Sequence, residues 1–140
     1  MENSEPKTEY HLKGIELIRC TINTPEGTPA PNFNFSISLQ TQLDVMPRTL
    51  TVIVNVDVIS DDQKNVFGSI SVNNVYQIIN FEEAFKLDTQ NQYEIPPKLL
   101  EVIGSTSLST TRGIMYSLFK GTFLNNALLP LIDLPKLKQY

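Results

Sequence analysis

The side chains that could do chemistry are few in this chain, and their spacing matches no known catalytic arrangement. His11 is the single histidine, and it has no serine or cysteine neighbour that would suggest a triad. Cys20 is the single cysteine, so the two residues together cannot supply the four ligands of a zinc site. The acidic pairs Asp61–Asp62 and Glu82–Glu83 stand in polar segments, where a solvated surface is the usual explanation. We therefore expect a protein that is not an enzyme, without cofactor or metal.

The amino-acid composition limits which binding partners and which cellular compartment can be expected for this chain. The 140 residues carry a net charge of −4, and the 11 Lys and Arg are scattered rather than clustered, so no nucleic-acid partner is expected. The opening MENSEPKTEY is polar, and no run of 18 apolar residues exists, which predicts neither a signal peptide nor membrane insertion. A single cysteine fits a reducing compartment. We expect a cytoplasmic protein with a disordered segment at residues 1–9 and one domain at residues 10–140.

Alternation of apolar and polar residues predicts β-strands in the first half of the chain. Residues 33–43 place Phe33, Ile37 and Leu39 on one face with serine, asparagine and glutamine opposite, the pattern of a half-buried strand. The segment 50–59 repeats the pattern with valines. Residues 10–24 alternate loosely, and we predict a bulge either near Gly14 or at Leu17–Ile18.

A fourth β-rich segment, residues 66–81, carries a predicted bulge at Asn73–Asn74. Residues 25–31 contain three prolines and a glycine and are predicted to be a loop. Four β segments with short turns indicate an antiparallel sheet with one wetter face. Residues 82–95 are too polar for a confident fifth strand and are expected to form a crossover with a short helical piece.

The segment after Pro96 has the spacing of a long helix. Pro97 suits the first helical position, and Gly121 suits the left-handed backbone conformation that ends a helix. A shorter second helix is expected over residues 131–139, restarted after Pro130 or Pro135.

The middle of the long helix, residues 104–113, is poor in helix formers. One explanation is that its small residues pack against another helix between subunits, and the alternative is a break into two helices. The candidate interface residues are Gly104, Ser107, Leu108 and Thr111.

Apolar side chains also occur where the sequence is otherwise polar or interrupted by proline. These places are the crossover after the fourth β segment and the tail, the chain from Phe123 onward. Both could simply fold onto the sheet and complete the core. They could instead form the walls of an apolar groove that binds extended, non-native polypeptides. The candidate groove residues are Phe81, Phe85, Tyr93, Leu128, Leu129 and Leu131.

The end of the long helix carries Ile114 and Leu118, followed by Lys120-Gly121-Thr122-Phe123 and then by Leu129-Pro130. This arrangement resembles the SecB family of protein-export chaperones. That family has an Ile-x-x-x-(aliphatic)-x-(Arg/Lys)-Gly-Thr-Phe pattern followed by a Leu-(Ala/Leu)-Pro turn. The pattern-level likeness extends over residues 10–137, but only the Gly-Thr-Phe segment is specific. The matching residues, in order and spacing, are Ile114, Leu118, Lys120, Gly121, Thr122, Phe123, Leu129 and Pro130.

The resemblance implies an α+β fold, with a four-stranded antiparallel sheet and a long and a short C-terminal helix packed outside it. It also implies a homotetramer, built as a dimer of dimers, that holds unfolded client polypeptides without ATP. Family members serve protein export through the SecA motor or dedicated clients such as antitoxins. Acidic residues that the family uses to dock to SecA are sparse here, and Ser69 stands where Glu is typical. The alternative is a structural or adaptor oligomer.

Overall fold

A computed structural model describes residues 7–24 and 32–134. In these ranges four long strands are followed by a short helix, a small hairpin and a long helix. The elements are β1 (Tyr10–Ile22), β2 (Asn34–Asp44), β3 (Thr49–Ile59), β4 (Val66–Ile78), α1 (Phe81–Ala84), β5 (Lys86–Leu87), β6 (Tyr93–Glu94) and α2 (Pro97–Phe119).

The four long strands form one antiparallel sheet in the order β1-β4-β3-β2. The predicted antiparallel sheet is thus confirmed, and β1 and β2 are its two edges. In β3 the alternation predicted from sequence determines burial: the valines between Val52 and Val58 are at most 1% exposed. They form the centre of the core because β3 has a neighbouring strand on each side and α2 against one face.

Two bulges in β1 keep its apolar side chains on the face that α2 covers. The pairing with β4 shifts between Leu12 and Gly14 and again between Leu17 and Arg19. Both sites that the sequence offered as alternatives are therefore bulged. The predicted bulge at Asn73–Asn74 is wrong, since both residues pair in unbroken register with β1 and β3.

The crossover after β4 contains the predicted short helical piece, α1, and then a minimal hairpin of β5 and β6. Asn80 accepts a hydrogen bond from the Glu9 backbone N–H at 2.7 Å and donates one to the Lys7 carbonyl at 2.8 Å. The chain before β1 is therefore held at residues 7–9, where disorder was expected. Residues 1–6 lie outside the described ranges, as does the predicted loop at residues 25–31.

The long helix α2 lies across β3 and β4. Its 23 residues extend about 35 Å at 1.5 Å per residue. In its first half Ile103 and Ser107 contact Tyr76, and its last residue, Phe119, lies beside Gly68 at the other end of β4. The predicted boundaries are confirmed by Pro97 in the first turn and Gly121 at φ +83°. The helix is continuous, so the alternative of two helices is wrong.

The chain after α2 turns back over the sheet. Residues 131–133 have no regular structure, so no helix begins at Leu131 as predicted; residues 135–140, including the alternative restart after Pro135, lie outside the described ranges. Within the described ranges, no helix is long and apolar enough to cross a membrane.

Candidate functional site

The predicted groove residues of the crossover form an aromatic cluster. Phe81 and Phe85 are each 2% exposed. The Phe81 ring centroid lies 4.8 Å from that of Phe85 and 4.9 Å from that of Tyr93. Tyr93 is half-buried on the same cluster. These side chains support the crossover from beneath, and Phe81 and Phe85 present almost no surface to a ligand.

The predicted residues of the tail divide by exposure. Leu129 is 1% exposed and belongs to the core, whereas Leu128 is 58% and Leu131 90% exposed. Leu128 and Leu131 are therefore the two predicted groove residues that present a large apolar side chain to solvent.

The two predicted walls lie toward opposite ends of the sheet. Phe81 follows the last residue of β4, whereas Leu128 lies beside the first residues of β2. Strands of 11 to 13 residues separate these ends by about 35 Å. The structure therefore does not bring the six residues into one groove.

A cleft of about 480 Å³ lies beside Leu128, at the first residues of β2. Its lining mixes aromatic rings with carboxamide and carboxylate side chains, and Asn34 donates a hydrogen bond to Asp61 at 3.3 Å. Because β2 is a sheet edge, its outer backbone groups face no further strand in the described ranges. The principal lining residues are Asn32, Phe33, Phe35, Asp61, Asn126 and Leu128.

The tail is fixed beside this cleft by aromatic packing and by one arginine. The Phe67 ring packs edge-on against both Phe33 and Phe123, with centroids 5.9 Å apart in each pair. Arg112 of α2 donates to the carbonyl of Leu129 at 2.7 Å and to that of Pro130 at 2.8 Å. The backbone that carries the leucines of the tail is thus fixed in position.

The four residues predicted to form an interface on the long helix face the chain's own core. Gly104, Ser107, Leu108 and Thr111 are all buried in the single chain. Ser107 and Thr111 are 0% exposed. The four residues therefore have no surface available to a second subunit, because α2 uses them to approach its own sheet.

The outward side of α2 carries a second set of small residues that sequence reasoning missed. Val102 and Tyr116 are 52% and 57% exposed. The positions between them on this side are also exposed: Ser105, Thr106, Ser109 and Gly113. The sequence signal for both sets is the same, namely the small residues of the stretch 104–113. Only the rotation of the helix relative to the sheet decides which of them face outward.

The edge strand β1 is a second apolar surface that the sequence did not single out. Its large apolar side chains are 37% to 55% exposed, although the bulges turn most of them toward the α2 side. They stay exposed because α2 covers β3 and β4 rather than β1. The exposed residues are Leu12, Ile15, Leu17, Ile18 and Ile22.

The opposite face of the sheet is polar. Ser69 donates a hydrogen bond to the Asp57 carboxylate at 2.6 Å on this face.

The thiol of Cys20 is free, and partial burial raises its pKa, which disfavours the reactive thiolate. Within the described ranges, no group of three or more His, Cys, Asp or Glu could hold a metal ion.

Comparison with solved structures gives the fold. Five chains match, among them a SecB-like chaperone from Mycobacterium tuberculosis, solved in complex with a ChAD peptide from the HigA1 antitoxin. The TM-score is 0.52 at 12% identity, over 89% of this chain and 88% of the other. The four-stranded antiparallel sheet with its long helix is a SecB-like fold.

A second similar structure is a protein of unknown function from Streptococcus agalactiae, with a TM-score of 0.43 at 11% identity. The match covers 91% of this chain and 99% of that one. No protein-family model and no curated protein matches the sequence.

Proposed function

We propose that this protein is a holdase chaperone that binds unfolded or non-native polypeptides without ATP. The observation that carries the proposal is the exposure of Leu128, which lines the cleft at the β2 edge, and of Leu131, three residues further along the chain. The SecB-like fold supports it, as does the peptide bound to the mycobacterial protein.

The cleft offers the two interactions that an extended chain needs. Carboxamides of Asn32 and Asn126 line it, and each can donate to and accept from a peptide backbone of any sequence. The β2 edge adds backbone pairing. Apolar client side chains would bury Leu128 and Leu131, at about 25 cal/mol per Å² of apolar area. Sequence-independent pairing with apolar contact is the chemistry of a holdase.

The test uses the double variant Leu128→Glu with Leu131→Glu. Affinity for a reduced, unfolded model client is expected to fall at least about tenfold, since apolar burial is replaced by charge desolvation. The control is Met46→Glu at the other end of the sheet, where the side chain is 85% exposed. Equal loss in both variants, or binding unchanged in the double variant, would remove Leu128 and Leu131 from the client site.

Assembly into a homotetramer, a dimer of dimers, is part of the proposal. The exposed edge of β1 suits a second copy because an antiparallel two-fold pairing can place Glu16 opposite Arg19 of the other copy twice. Glu16→Arg alone is expected to dissociate the assembly, and Glu16→Arg with Arg19→Glu to restore it. A native chain that stays monomeric at micromolar concentration contradicts this part.

The outward face of α2 is the proposed contact between dimers, in place of the buried residues predicted from sequence. Serines and Gly113 allow a second helix to approach closely, and a Cβ on Gly113 would meet nothing within 4 Å. Gly113→Leu is therefore compatible with the single chain and is expected to halve the mass in solution. Several client sites in one tetramer would strengthen binding through avidity.

The range of clients is a separate part of the proposal. General export clients would require docking to SecA, and the polar sheet face carries Ser69, 8% exposed and bonded to Asp57, rather than a row of acids. A dedicated client, such as an antitoxin, is favoured by the peptide in the mycobacterial structure. Comparing binding to purified SecA with binding to a co-encoded partner distinguishes export clients from a dedicated client. Both kinds of client are compatible with the cytoplasmic location that we propose.

A structural or adaptor oligomer is the competing function. Burial of Phe81, Phe85 and Leu129 favours it, because half of the predicted groove is core. An intact tetramer that prevents no aggregation of an unfolded client would establish this alternative over the holdase.

A further inference from the structure

The buried contact between α2 and the sheet is polar at one point, near the middle of the helix. Asn74 of β4 is 0% exposed, and its Oδ1 has no hydrogen-bond partner among the described residues. Its Nδ2 donates to the Val52 carbonyl at 3.3 Å. A buried acceptor without a donor costs about 1–3 kcal/mol, so the sheet is least favourable to close packing at this residue.

The helix passes over Asn74 with its weakest segment. Tyr76, two residues along β4, contacts Ser107, and Gly68 at the other end of the strand contacts Phe119. Leu108 and Thr111, both buried, occupy the turns between those contacts. The interval is therefore covered by residues of the stretch 104–113.

Three threonines weaken the same stretch from within. The hydroxyls of Thr106, Thr110 and Thr111 each donate to the carbonyl four residues earlier, at 2.8 to 3.0 Å. Such back-bonding competes with the helix's own N–H groups and slightly destabilises a helix. Gly104 and Gly113 border the stretch and have low helix propensity. On either side of the stretch, in contrast, the helix is anchored by Ile103 and Phe119, each 1% exposed.

We propose that residues 104–113 of α2 open away from the sheet at Asn74, breaking the Tyr76–Ser107 hydrogen bond, while the flanking anchors Ile103 and Phe119 remain in place. The opening uncovers the neighbouring Val52 and Val54 of β3 and Val72 of β4, each at most 1% exposed when closed. On the proposed holdase function, this uncovered layer is a second, transient apolar surface for client side chains.

Hydrogen–deuterium exchange on the full-length protein without client tests the opening. Amides of residues 104–113 are expected to exchange faster than those of β3 and of the flanking helical residues 101–103 and 115–119. Asn74→Leu, which has nearly the same shape and no orphan acceptor, should slow that exchange at least about tenfold. Asn73→Leu, on the opposite face of the same strand, should leave it unchanged.

Exchange of residues 104–113 as slow as that of β3 in the native protein overturns the proposal, whether or not the variants fold. Equal slowing by Asn74→Leu and Asn73→Leu also overturns it. The exchange measurement needs no client, so it is independent of the holdase function. If only the holdase function is wrong, client binding will be absent while residues 104–113 still exchange fast.

Discussion

The phenol oxygen of Tyr76 lies 2.8 Å from Oγ of Ser107, and this contact joins β4 to α2 inside the core. The Tyr76 hydroxyl also donates to the Ile103 carbonyl at 3.3 Å. Tyr76 is 2% and Ser107 0% exposed, so neither hydroxyl has ready access to bulk water. The pair places the first half of the helix on the sheet, and the proposed opening of residues 104–113 requires this hydrogen bond to break.

Removing either hydroxyl of this pair should destabilise the fold. Tyr76→Phe and Ser107→Ala are each expected to lower the free energy of unfolding by about 0.5–1.5 kcal/mol, the usual net worth of a hydrogen bond. The double variant should lose less than the sum, because no hydroxyl is then left unpaired. Urea unfolding monitored by circular dichroism measures all three variants, and strict additivity would show that the two groups do not interact.

Tyr76 should also make stability depend on alkaline pH. Burial raises the pKa of its phenol above the usual 10.0; the hydrogen bond with Ser107 opposes this rise, and the charge on Tyr10 adds to it. The folded state thus favours the neutral phenol. Its contribution is fully present below pH 10 and is lost as pH rises through the pKa of the folded state.

The measurement is the free energy of unfolding between pH 8 and pH 11. Tyr76→Phe should flatten the alkaline loss relative to the native protein. An alkaline loss in Tyr76→Phe as steep as that of the native protein would contradict the assignment to Tyr76.

The fold could be read from the sequence because its signals are local. Period-two alternation fixed the faces of β2 and β3, and Pro97 and Gly121 marked the ends of α2. Where one element crosses another, the sequence was insufficient. It predicted a bulge at Asn73–Asn74 because two adjacent polar residues resemble an irregularity, yet Asn74 lies buried in regular pairing.

The candidate site was only partly predictable. Leu128 and Leu129 are chemically identical neighbours, and the direction of the tail backbone decides which one is exposed. That direction depends on Arg112, 17 residues away from Leu129 in sequence. Likewise, the small residues of α2 revealed a close approach, but only helical phase relative to the sheet shows that Ser107 faces inward.

At Gly68 the chain just after α2 packs tightly against the sheet. A Cβ at this position would lie 2.6 Å from Cδ1 of Leu124 and 3.1 Å from the Thr21 carbonyl oxygen. Leu124 is 0% exposed and packed, so it cannot move away freely. Gly68→Ala is expected to lower the free energy of unfolding by about 1–3 kcal/mol through overpacking.

A double-mutant cycle with Leu124→Ala tests that contact. Leu124→Ala alone should lower the free energy of unfolding by about 2–5 kcal/mol by leaving a cavity. Adding Gly68→Ala should then cost little, because the new methyl group enters that space. If Gly68→Ala costs the same in both backgrounds, the clash with Leu124 is not the cause.

Arg112 should control how firmly the tail, and with it Leu128, is held. Its two donors to the Leu129 and Pro130 carbonyls are charge-assisted, and hydrogen bonds of this kind are worth about 1.5–3 kcal/mol each. Arg112→Lys keeps the charge but loses the planar fork that reaches both carbonyls. Amides of residues 124–134 should therefore exchange at least about tenfold faster, with much less change in β3. Lys98→Gln, an exposed change in the first turn of the same helix, should leave tail exchange unaltered. Tail exchange in Arg112→Lys that matches the native protein would mean that the aromatic contacts of Phe123 hold the tail without the arginine.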